Sequence, residues 1–150
     1  MLLMAFATLR VSAQEKVVLE EVFKTSYTLE NNAEYGKAIE ALKKVYDESS
    51  YEINLRLGWL TYQAGWFTES IAFYNKSIQL MPMSVEARLG FVLPAAALGN
   101  WNQVITRYSE VLKIDPNHYT VNYRMGMIYY SRQEYQTAYK YFEKIANLYP

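Results

Sequence analysis

The stretch Asn54–Pro82, NLRLGWLTYQAGWFTESIAFYNKSIQLMP, decides the fold. Apolar residues recur at three- and four-residue steps over Asn54–Ala64 and again over Thr68–Leu80, the spacing of a helix with one buried face. Gly65 stands between the two runs, where a left-handed residue ends the first helix without steric penalty. Pro82 closes the second run, because proline cannot continue a helix. The segment therefore predicts two helices joined by a tight turn.

The same landmarks return downstream. Pro82, Pro116 and Pro150 are spaced 34 residues apart, as are Tyr74, Tyr108 and Phe142. Phe67, Trp101 and Tyr135 keep that interval, and so do Leu80, Ile114 and Leu148, and Ile71, Ile105 and Tyr139. Gly99 repeats Gly65. So many independent columns at one spacing mark an internal repeat, in which each unit buries its apolar face against its neighbours.

Laid along these columns, the chain resembles the tetratricopeptide repeat, whose pattern is W-x2-L-G-x2-Y, then A-x3-F, then P. One copy reads Asn54-x2-Leu57-Gly58-x2-Thr61, Ser70-x3-Tyr74, Pro82, and another reads Asn122-x2-Met125-Gly126-x2-Tyr129, Ala138-x3-Phe142, Pro150. The glycine lets two helices approach, and Ser70 or Ala138 faces it from the partner helix. The resemblance implies an all-α fold, a right-handed superhelical solenoid of antiparallel helix pairs, with repeats at 51–84, 85–118 and 119–150. Tyr35-x2-Ala38-x3-Leu42, with Val17–Glu30 before it, reads as a degenerate repeat over 14–50 whose linking turn is two residues short. The middle copy departs from the pattern: Arg88-x2-Phe91-Val92-x2-Ala95 has Val in place of glycine and Pro94 inside the first helix. That proline removes a backbone bond to Gly90, at about 3 kcal/mol, and predicts a kink or an opened turn, with Gly90 absorbing the clash; the alternative is that Pro94 is tolerated drift.

Met1–Leu9 is apolar on every face and too short to span a bilayer, which takes about 20 residues. With small residues before a cut after Ala13, residues 1–13 read as a signal peptide, although no basic residue precedes the apolar run. That reading places the protein in an exported, periplasmic or envelope setting. The alternative is a frayed apolar tail or an extra packing helix, in a cytoplasmic protein.

Composition narrows the function. Lys+Arg and Asp+Glu both total 15, so there is no basic excess to displace counterions from a nucleic acid or to hold an anionic membrane surface. Cys is absent and His118 is the only histidine, which removes thiolate catalysis and Cys/His metal sites. His118 reads as a turn residue. Glu20-Glu21 and Asp47-Glu48 are neighbours in sequence and point apart. No phosphate loop or nucleophile elbow is present. The sequence thus points to no catalytic residue, no metal and no cofactor.

What remains is binding. The resemblance implies that the first helices of successive units line a concave groove for a protein or peptide. It carries the groove onto Trp59, Tyr62, Leu89, Leu93, Tyr123, Met127 and Tyr130, with Glu52, Glu86, Thr120 and Ser131 beside them. The Lys and Asn residues that grip a terminal carboxylate in chaperone-binding members are missing from these positions. Aromatics supply large contact area at small entropic cost, the usual make-up of a binding hot spot. A glycan-binding module stacking sugars on these rings, or a structural segment of a longer protein or oligomer, are the alternatives. Tyr139, Tyr141 and Leu148 predict further repeats or self-association at the C-terminal end.

Overall fold

The structure, a computed structural model, describes residues 13–148. The proposed signal segment lies, apart from Ala13, outside the described residues. Two compact units divide the chain, Met1–Tyr46 and Asp47–Pro150. The first contains α1 (Ala13–Asn31) and α2 (Tyr35–Lys43), packed against each other. The second is a helical repeat solenoid of α3 (Tyr51–Gln63), α4 (Phe67–Leu80), α5 (Val85–Ala97), α6 (Trp101–Ile114), α7 (Tyr119–Ser131) and α8 (Tyr135–Leu148). No strand occurs among the described residues. None of the described helices is long and apolar enough to cross a membrane.

Each helix pair turns in the same way. Gly65 and Gly99 take the left-handed conformation at φ 78° and 73°. Around each, one N–H reaches back three residues and the next reaches back five: Gly65 to Tyr62 and Trp66 to Thr61, then Gly99 to Ala96 and Asn100 to Ala95. This double bond satisfies carbonyls that a helix end leaves open. Ala33 and Gln133 occupy the same place in their own turns, with φ 57° and 62° and the same pair of bonds. A side chain there is strained, and glycine relieves it. Gln133→Gly is therefore expected to raise stability by about 1 kcal/mol, read as a higher urea midpoint at unchanged slope. An unchanged or lower midpoint would refute the strain.

Between repeats, Ser50 and Ser84 cap α3 and α5 by accepting the N–H groups of Ile53 and Ala87 at 3.3 and 3.0 Å. His118 does the same for α7 through Nδ1, which accepts Val121 N–H at 3.3 Å. Its reading as a turn residue at a helix start agrees with this geometry. Just inside each cap, Asn54, Arg88 and Asn122 are buried and donate to the carbonyls of Ser50, Ser84 and His118 at 2.7, 2.9 and 3.0 Å. Three polar residues at one repeat position thus tie each first helix to the turn that precedes it.

The opened turn expected at Pro94 is not found. α5 runs through Pro94 to Ala97 and no turn opens. Pro94 is buried in the last turn of the helix, and its own carbonyl accepts Leu98 N–H at 3.1 Å. Gly90 is also where α5 meets α4: a Cβ placed on it would lie 2.2 Å from Cε1 of Tyr74.

Candidate functional site

Tyr74 shows how two repeats interlock. Its ring lies against Gly58 of its own repeat, where a Cβ would meet the ring at 3.0 Å, and against Gly90 of the next. The residue is 3% exposed, and burial pushes its phenol well above the ordinary range. Two glycines thus admit one ring, and α3 packs directly on α5.

One repeat onward the equivalent ring is Tyr108, and the two glycine positions are filled by Val92 and Arg124. Tyr108 has no gap of that kind to enter. α5 and α7 lack the close packing that joins α3 to α5. The space between them is a cleft of about 820 Å³, with Leu89, Leu93, Val104 and Tyr108 on one side and Met127 and Ile128 on the other. Arg124 and Arg132 stand on the α7 side, with the hydroxyls of Thr120 and Ser131. No Asp or Glu lines the cleft. Burial raises the Tyr108 phenol pKa, and the nearby Arg124 charge opposes that rise.

The residues named from sequence divide into two groups. Tyr62, Leu89, Leu93 and Met127 come together on the cleft, as do Thr120 and Ser131. Trp59 is half-buried 5.9 Å from the Tyr62 ring, which in turn lies 5.9 Å from Phe67. Tyr123 stacks parallel to Tyr119 at 6.5 Å and leans on Phe142 of α8 at 6.2 Å. Tyr130 meets Tyr135 edge-on at 5.4 Å. Both tyrosines remain exposed, but neither lines the cleft.

Sequence reasoning did not single out Val92, Trp101, Tyr108, Arg124 or Arg132 for the site. A signal was available: the residue 34 places after Gly90 is Arg124, and the residue 34 places after Gly58 is Val92. Together those two changes mark where the array cannot close. No group of three or more His, Asp or Glu able to hold a metal occurs among the described residues.

Two stretches, 51–82 and 121–150, match the tetratricopeptide repeat family. No curated protein matches the chain by sequence. Among solved structures, MamA is 24% identical with a TM-score of 0.77, over 86% of this chain and 77% of that one. A tetratricopeptide repeat protein from Parabacteroides merdae is 21% identical with a TM-score of 0.80, over 88% of this chain and 54% of that one. YrrB, a TPR protein with an unusual peptide-binding site, is 16% identical with a TM-score of 0.71, over 86% and 68%. At these identities the likeness establishes the fold.

Proposed function

The chain is a tetratricopeptide repeat protein, and on that footing we propose that it is a non-enzymatic protein–protein interaction scaffold holding a segment of its partner in the cleft beside α7. The observation that carries this reading is the apolar space of about 820 Å³ left where the stacking of repeats opens. Its size falls within the range of concave ligand sites, about 300–1,000 Å³. Leu93 and Met127 are 38% and 44% exposed on its walls, so a partner would cover apolar surface that the array itself leaves in water. The leader-like pattern of residues 1–13 supports an exported or envelope setting for the assembly.

Crosslinking followed by affinity capture from native cell fractions tests both parts. A protein partner is expected in the membrane or periplasmic fraction, with at least tenfold less retained by a Leu93→Glu, Met127→Glu double variant. Both positions are exposed, so the substitutions leave the fold intact. Undiminished capture by the variant would remove the cleft as the binding surface. Capture confined to the cytosol would remove the exported setting.

A further inference from the structure

The two arginines beside the cleft differ from their neighbours in the same array. Arg88 and Arg107 both bind Glu110, at 3.0 and 2.9 Å. Arg124 and Arg132 are exposed and make no hydrogen bond or ion pair with any described residue. They border an apolar cleft with no carboxylate in its lining. The charge that complements this surface is negative, and it has to arrive together with something apolar.

Spacing determines what kind of anion fits. Arg124 lies on α7 and Arg132 is its C-cap, eight residues further on. At 1.5 Å of rise per residue their backbones stand about 12 Å apart along the helix. Met127 and Ile128 lie between them on the cleft. A single carboxylate head on an acyl chain would reach one arginine and leave the other unmatched. An extended peptide spans about 13 Å over four residues and presents residues i, i+2 and i+4 on one face. Two acids four residues apart, with a large apolar residue midway, therefore match both charges and the apolar wall between them.

We propose that the cleft between α5, α6 and α7 recognises an extended partner segment of the form acid-x-apolar-x-acid. The apolar side chain enters between Leu93 and Met127, and the two carboxylates lie on Arg124 and Arg132. This rests on the scaffold reading above and specifies the partner's chemistry. The site exists because Val92 and Arg124 replace the glycine pair that closes the preceding junction around Tyr74. One substitution thus opens the space, and the other both opens it and supplies a charge.

The test is selection of a random twelve-residue peptide library, displayed on phage, against the full chain. Recovered peptides are expected to be enriched in Asp or Glu at i and i+4 around Trp, Phe, Leu or Met at i+2. A synthetic copy of the enriched peptide should bind at least tenfold more weakly to Arg124→Glu and to Arg132→Glu. Ala96→Trp, which fills the apolar side, should weaken it to a similar degree. Peptides without paired acids, or affinities unchanged in both arginine variants, would overturn the proposal. So would a library that yields no binder while dodecanoate binds the parent chain and not Ala96→Trp, which would assign the space to an acyl chain. If no peptide is recovered yet native capture still depends on Leu93 and Met127, this proposal fails and the scaffold reading stands. If native capture fails too, both fall.

Discussion

Gly90→Ala is expected to lower stability by about 2 kcal/mol or more, although alanine is the better helix former by about 1 kcal/mol. The new Cβ would lie 2.2, 2.5 and 2.8 Å from Cε1, Cζ and Cδ1 of Tyr74. The ring has little room to retreat, because it also lies against Gly58 and the residue is 3% exposed. Either α5 moves off α3 and α4 or Tyr74 leaves its rotamer, and both undo the junction between two repeats. Equilibrium urea unfolding checks this, with Gly36→Ala as the contrast. Gly36 lies in α2 with nothing within 4 Å of its Cβ position, so that change should gain roughly 0.4–1 kcal/mol. The clash also predicts coupling: Tyr74→Leu should cost less in the Gly90→Ala background than in the wild type. A Gly90→Ala chain as stable as the parent would refute this account of the junction.

The contrast between Gly90 and Gly58 shows what the sequence could and could not convey. Gly58 falls in a family column, so its role as a point of close helix approach was legible from Asn54–Pro82 alone. Gly90 falls outside the pattern, and four residues before Pro94 it invited an explanation within its own helix. Its actual partner is Tyr74, sixteen residues earlier and on another helix. A column describes one repeat, whereas that contact belongs to the junction between two. The cleft was half-legible for the same reason. Leu89, Leu93 and Met127 were found because first-helix positions face one side, but Val104 and Tyr108 reach the space from a second helix. Arg124 was passed over because an isolated arginine on a helix is ordinary. It becomes informative only when the glycine one repeat earlier is known to be holding a ring. The turns went the other way: Gly65 and Gly99 announced themselves, while Ala33 and Gln133 adopt the same geometry without the residue that signals it.

Glu110→Ala should cost about 2 kcal/mol, far more than loss of an ordinary surface acid. One carboxylate oxygen accepts Arg88 Nε at 3.0 Å and Arg107 Nη1 at 2.9 Å. Arg107 also donates to Asn75 of α4 at 2.9 Å, and its guanidinium lies 4.6 Å from the centre of the Phe91 ring. Removing Glu110 leaves two cations close together, held only by the Ser84 carbonyl, the Asn75 amide oxygen and one aromatic face. Breaking a fully buried pair costs about 3–5 kcal/mol. The Arg107 and Glu110 side chains are 22% and 28% exposed, and the water this admits reduces the figure. Glu48→Ala is the control: its contact with Lys76 is 3.8 Å long and Glu48 is 78% exposed, so the change should stay within about 0.5 kcal/mol. The network also links α4, α5 and α6, and α5 and α6 carry one wall of the cleft. Glu110→Ala is accordingly expected to lower both the urea midpoint and the affinity for an acidic segment. Arg124→Glu and Arg132→Glu should lower affinity with a much smaller change in stability, because neither arginine makes a hydrogen bond or ion pair with a described residue. Equal losses of stability in all three variants would mean that the α7 arginines support the fold rather than the partner.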